Sequence, residues 1–345
     1  MAGASEGLGQ HVMMQLRRVN KAICEGDPSR EGLWIGDVDY DPRPQRVVSP
    51  LVALDAGKIY LQETWLAYVW SLGYAMGVIY YEGVQKPLLS GCYTGTVAYG
   101  SDILVRARKR FSRGLALLDD YADWDARLPW HRSEHRGHPD SLPGQEAAWA
   151  GRTTGLMVQA VLFRLFHEHY HLKHPIQSCE LGCELMVRDD DGYRTMVEFE
   201  RQADAWALRM LLADASGEAD RALIGEAVIL AFCASLFATK RPERVSHRSH
   251  PDMAARLATV LETLGLDGSH SAFHFWHLAC VMMRLFLIKH ELAYPPDVRG
   301  ADNPQALFAD HLSFLDHICH GASYPGTAES FGLERSSSNV NTPPA

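Results

Sequence analysis

No basic block occurs anywhere in this chain. Against 33 Lys plus Arg stand 42 Asp plus Glu, for a formal charge of −9, so a surface built to bind nucleic acid is not expected. Long apolar runs are also missing. The longest uncharged stretch, Thr64 to Tyr81, falls short of the roughly 20 apolar residues that a membrane-spanning helix needs. Ser71, Gly73 and Gly77 interrupt it, and it reads as a core helix, with peripheral membrane contact left open. Cysteines number seven, an odd count with scattered spacing, which fits reduced thiols rather than a disulfide framework. Cys179 and Cys183 lack the two-residue gap and second pair of a zinc knuckle and read as loop thiols. Met1 to Gln10 is small and polar without an apolar export segment, so a cytoplasmic location is expected. No internal repeat is visible.

What is present is a chain of 345 residues patterned mostly for helices, long enough for a substantial core. His11 to Cys24 predicts a short helix with Val12, Leu16, Val19 and Ile23 on one side. From Trp34 to Pro50 the aspartates Asp37, Asp39 and Asp41 alternate. The Gly and Glu that a calcium loop requires further on are missing, so this stretch reads as a turn-rich loop. Lys58 to Leu61 predicts a short strand, taken as an edge on which an extended peptide would align. A charged helix follows a Ser101 cap to about Asp125. Leu128 to Gly144 combines Pro129, Pro139 and Pro143 with His131, His135 and His138, and reads as a solvated loop rather than a metal site. A long helix then runs from about Gln145 to His174 and stops at Pro175. Asp189 to Gly192 reads as a turn, with helices from near Thr195, from Glu218 to Thr239, from Ser269 to Leu292 and from Pro304 to Ile318. The expected fold class is therefore mainly α with at most a small sheet. One helical domain is expected over residues 1–320, with the chemistry in 145–265, and a disordered tail over 321–345.

That chemistry centres on Leu165-Phe166-His167-Glu168-His169-Tyr170-His171, where His167, Glu168 and His171 spell H-E-x-x-H. Residues four apart share a helix face, so His167 and His171 can present two imidazoles to one metal ion. Glu168 sits one position round, where it can take a proton from a metal-activated water. Thr154 to Phe166 is apolar nearly all round, as a buried helix is. A His and Glu pair at its end is costly to bury without a partner. A metal would be one partner; a self-satisfied hydrogen-bonded cluster is the alternative.

A third ligand is available on the next helix, in Glu200-Arg201-Gln202-Ala203-Asp204-Ala205. Glu200 and Asp204 share a face, so Glu200 can bind the ion while Asp204 accepts the outer N–H of a ligating histidine. Ala203, Ala205 and Ala207 would allow close helix approach; Glu198 competes for the ligand role but has no carboxylate partner four residues on. His250, before Pro251, sits at a helix entrance, where a donor would stabilise the oxyanion of a tetrahedral intermediate. His270, His274 and His277 share a helical face and read as packed, satisfied histidines rather than a second metal site.

Together, H-E-x-x-H (167–171), E-x-x-A-D (200–204) and H-P-x-x-x-x-R (250–256) resemble the gluzincin metallopeptidases, most of all the Lit-type phage-exclusion peptidases. The resemblance implies a zincin-like domain around a buried H-E-x-x-H helix. It also implies a bacterial, intracellular zinc endopeptidase that acts in phage defence by cleaving a protein substrate, a translation factor. By position it makes His167, His171 and Glu200 the Zn2+ ligands, Glu168 the catalytic base, Asp204 a support behind the ligands and His250 an active-site histidine. His169 and Tyr170 depart from the smaller or aliphatic residues common inside the motif. Two other readings stand beside this one: a non-catalytic zincin-like regulatory or interaction module, and a metal-free helical scaffold.

Overall fold

In a computed structural model, the described residues are 8–26, 35, 38–43, 45–119, 144–175, 190–238, 253–292 and 303–319. Helix α1 (Leu8–Gly26) buries Val12, Leu16, Val19 and Ile23 along one side, as their spacing predicts. Three short strands follow: β1 (Val38–Asp41), β2 (Leu51–Ala53) and β3 (Lys58–Gln62). Their order is β1-β3-β2, with β1 parallel and β2 antiparallel to β3. Two expectations change here. The Asp-rich stretch supplies a strand as well as turns, and Lys58–Leu61 forms the centre of the sheet rather than its edge. Asp is depleted in strands, so Asp39 and Asp41 offset the strand preference of Val38 and Tyr40 in β1. Its pairing partner, Ile59 against Val38, comes from 21 residues further along the chain.

Helix α2 (Glu63–Tyr80) takes in all of the uncharged run but Tyr81, and every residue but Gly77 is buried. Two of its buried hydroxyls bond within the fold: Ser71 Oγ–H donates to Ala67 O at 3.0 Å, and the Tyr68 hydroxyl donates to Ala234 O at 2.8 Å. Glu63, at its first turn, accepts from the Gly9 N–H and from the Tyr40 hydroxyl, tying α1 and β1 to the start of α2. A π-helical turn (Tyr81–Gln85) and the short α3 (Lys86–Leu89) follow. Helix α4 (Asp102–Ala116) begins after Ser101 as expected, although the Ser101 side chain makes no capping hydrogen bond. It ends well before Asp125, since residues 117–119 form a turn. Gly114 lets it press on α2; a Cβ there would lie 2.6 Å from Ser71 Cβ.

The long helix α5 (Gly144–Lys173) packs beside α2 and under the sheet, and against α6 (Asp190–Leu212) and α7 (Glu218–Ala238); α8 (Met253–Thr263) lies on α6 and α7, α9 (Ser269–Lys289) on α2 and α7, and α10 (Pro304–Cys319) on α9. Helix α6 starts at Asp190, earlier than Thr195. Asp and Gly favour helix starts and turns alike, so composition there did not distinguish the two. A continuous apolar cluster joins residues from Leu8 to Leu315, and each large side chain buried in it contributes about 1.5–3 kcal/mol. Helix α7 and residues 271–289 of α9 are long and apolar enough to span a bilayer. Shares of 72% and 67% of those windows are instead buried against the rest of the fold. The fold is mainly α with one small sheet.

Candidate metal centre

From Leu156 to Phe166, helix α5 is buried at every residue but Gln159 and Arg164, which are half-buried. Leu162, Phe163, Leu165 and Phe166 have no exposed surface, and His167 follows at 2% exposure. A buried imidazole requires hydrogen-bond partners, and those of His167 come from α6. Ala203 and Ala207 face α5 fully buried and let α6 approach; Ala205 points to solvent and takes no part. The result places His167, His171 and Glu200 with one ligand atom each, all within 4.8 Å of one another. His167 Nε2 lies 3.1 Å from His171 Nε2 and 3.3 Å from Glu200 Oε2, while His171 Nε2 lies 3.5 Å from Glu200 Oε1. Glu198, the competing carboxylate, faces out and accepts from Gln202 Nε2–H at 3.3 Å.

Behind this trio stands Asp204. The Nδ1–H of His167 donates to Asp204 Oδ1 at 3.0 Å, which leaves Nε2 of the neutral imidazole as a lone pair turned toward His171 and Glu200. Asp204 is held in turn by Arg256 of α8, whose Nε–H and Nη2–H donate at 2.7 and 2.8 Å in a bidentate fork. The guanidinium lies over the Phe232 ring at 4.3 Å. Three helices thus fix one imidazole ring through two ionic links.

Protonation reports the same demand for positive charge. Burial alone would push His167 down, but the bonded carboxylates of Asp204 and Glu200 overcome it and raise it to about 9. Burial would raise Glu200; the His167 hydrogen bond and the nearby charges instead hold it well below the usual carboxylate range. His171, by contrast, is pushed down to about 4 by burial and by the His167 charge. In the metal-free state a proton on His167 therefore sits where two imidazoles and two carboxylates favour a cation. The donors fit a divalent metal ion held by nitrogen and oxygen.

Glu168 is held along its own helix. Its Oε1 accepts from Arg164 Nη2–H at 2.8 Å, one helical turn back. His169 faces the interior at 3% exposure with no partner for either ring nitrogen among the described residues, and burial pushes it down to about 4. Tyr170, Phe199 and Trp206 form an aromatic patch beside the site, with Phe199 5.1 Å from the His171 ring and the Tyr170 hydroxyl donating to Gln202 Oε1. On α9, His274 bridges the Tyr80 hydroxyl and Glu226, which also accepts from Arg152, so that histidine is satisfied as expected. His277 Nδ1–H donates to Phe273 O, but its Nε2 has no partner among the described residues. His250, Cys179, Cys183, His131, His135 and His138 lie outside the described residues, as does the side chain of His270. A cavity of about 390 Å3 between α1, α5, α6 and α7, lined by Arg18, Thr154 and Asp214 among others, contains none of the trio.

The sequence profile of the family described as Peptidase U49 matches residues 59–279, well over half of the chain, and the match contains the whole cluster. The chain belongs to the peptidase U49 family. No curated protein and no solved structure matches it. Within the part that matches the U49 peptidases, two residues escaped the motif reading. Arg256 appears in H-P-x-x-x-x-R, yet its partner Asp204 lies 52 residues away on another helix. Arg164 carries a local signal, being a lone charge inside the apolar run before H-E-x-x-H.

Proposed function

We propose that this peptidase is a zinc-dependent endopeptidase of the gluzincin type, most like the Lit-type phage-exclusion enzymes. The observation that carries the proposal is the convergence of His167, His171 and Glu200 in a chain of a peptidase family. One ligand atom from each of the three lies within 4.8 Å of the others, and two imidazole nitrogens with one carboxylate oxygen form a donor set that suits zinc.

His167, His171 and Glu200 would hold the ion, with Asp204 fixing the His167 tautomer. Bound there, zinc would supply Lewis acidity that polarises the scissile carbonyl and makes water nucleophilic at neutral pH. Glu168 acts as general base. It takes a proton from the attacking water as the C–O bond forms, then passes it to the amine nitrogen as the C–N bond breaks. His250 donates to the oxyanion in between. The substrate is a protein, and by resemblance a translation factor cleaved in the cytoplasm during phage exclusion. No nucleic-acid partner is invoked, in keeping with the acidic charge.

The pairing of Glu168 with Arg164 gives a second reading specific support: a zincin-like module whose ion serves regulation or interaction, with no role for a base. Zinc per chain, measured by mass spectrometry for wild type and Glu200→Ala, comes first. About one ion in the wild type and a clear loss in the variant are expected for a three-ligand site. Glu168→Gln then separates the two readings, since it keeps the ion in both and abolishes turnover only in the first. A Glu168→Gln protein that cleaves at the wild-type rate sinks the endopeptidase.

A further inference from the structure

The pair formed by Arg164 and Glu168 is costly as helix chemistry. Both side chains are largely buried, at 15% and 13% exposure, and Arg164 interrupts an otherwise apolar run between Leu156 and Phe166 apart from Gln159. Replacing a buried ion pair by apolar residues of similar size is often neutral or stabilising. Nor is the order helpful, because an acidic residue placed before a basic one at this spacing suits a helix better than the reverse. Stability therefore gives little reason to keep Arg164.

Function gives a better one. We propose that Arg164 is a positioning residue that holds the Glu168 carboxylate in the orientation a general base needs. The proposal rests on the reading of Glu168 as that base. The guanidinium is the one described partner of Glu168, and it engages Oε1 alone, at 2.8 Å. Oε2 is left for the attacking water. Arginine stays protonated, so it cannot relay the proton that Glu168 picks up, and that proton travels in and out through Oε2. A glutamate has three side-chain torsions to restrain, and pinning one oxygen removes most of that freedom before substrate arrives. Arg164 itself touches neither the water nor the peptide; it acts through Glu168.

Arg164→Gln and Arg164→Lys test this on zinc-loaded full chain, with fluorescein-labelled casein as the probe substrate and zinc content measured alongside. Arg164→Gln is expected to keep its zinc and its KM within about twofold while kcat falls about 10- to 100-fold. Arg164→Lys keeps the charge without the planar fork and is expected to fall between Gln and wild type. If Arg164→Gln does not fold, Arg164→Lys decides by the same split. A second readout needs no turnover: the Glu168 carboxyl signal in metal-free protein carrying 13C-labelled glutamate, assigned by its disappearance in Glu168→Gln. It should be a single sharp line in wild type and shifted or broadened in the Arg164 variants. A folded, zinc-loaded variant with wild-type kcat overturns the proposal, and so does an unchanged carboxyl signal. Turnover by Glu168→Gln is a different result, which removes the base itself and with it the reaction proposed for the site.

Discussion

Replacing Asp204 by Ala separates two consequences that the structure joins in one carboxylate. Asp204 accepts from His167 Nδ1–H at 3.0 Å and from Arg256 Nε–H and Nη2–H at 2.7 and 2.8 Å. Its loss strands the Arg256 guanidinium, whose side chain is 12% exposed. Breaking one side of a buried pair costs about 3–5 kcal/mol. The same loss lets the His167 ring rotate and exchange tautomers, and removing such support costs about 10- to 100-fold in metal affinity. Adding Arg256→Met to Asp204→Ala removes the stranded charge, so most of the stability should return while metal affinity stays low. Chemical denaturation of metal-free protein measures the first quantity, and zinc competition against a chelating dye measures the second. An Asp204→Ala protein with wild-type zinc affinity would falsify the role given to this carboxylate. A double variant as unstable as the single one would show that Arg256 is not the source of the loss.

Other perturbations follow from the same packing. Burial, with the Arg284 charge, pushes His311 down to about 3, whereas in the unfolded chain it titrates near about 6.5. Between those values the unfolded state binds the extra proton, so this contribution is intact above about pH 6.5 and is lost as pH falls, by about 2 kcal/mol at pH 5. His311→Leu should flatten that slope, and equal losses between pH 7 and pH 5 in both proteins would contradict the assignment. Gly114→Ala drives a Cβ to 2.6 Å from Ser71 Cβ and should destabilise by about 1–3 kcal/mol. Gly151→Ala on the exposed side of α5 meets nothing within 4 Å and should stabilise by about 0.5–1 kcal/mol. Thermal melts of the two variants moving in the same direction would refute that reading of the helix contacts. Chelation by EDTA should lower the melting temperature of zinc-loaded protein and leave Glu200→Ala nearly unchanged, because an ion bound only by the folded state stabilises it.

The helices that carry the site were legible because their signals are local. A sequence apolar on nearly every face marks α2 and the Thr154–Phe166 part of α5 as core, and the four-residue step from His167 to His171 places both rings on one face. The small sheet was only partly legible. β3 has strand-forming Ile59 and Tyr60, but β1 contributes Asp39 and Asp41 and pairs with a segment that no local pattern designates. Arg256 was visible as a letter in a motif without a partner, because its partner belongs to a different helix.

By itself, then, the sequence determined that the chain is mostly helical and acidic, that two histidines share one buried face, and that a helix with spaced carboxylates follows 29 residues later. The sequence also favoured Glu200 over Glu198, because only Glu200 has a carboxylate four residues on, Asp204. The tertiary structure placed the two in space: the packing of Ala203 and Ala207 on α5 turns Glu200 inward and leaves Glu198 in solvent. It also decided that Asp204 is held between His167 and Arg256, and that β3 lies inside the sheet. Periodicity encodes which side of an element is apolar, whereas the rotation of one helix against another is set by side chains far apart in the chain.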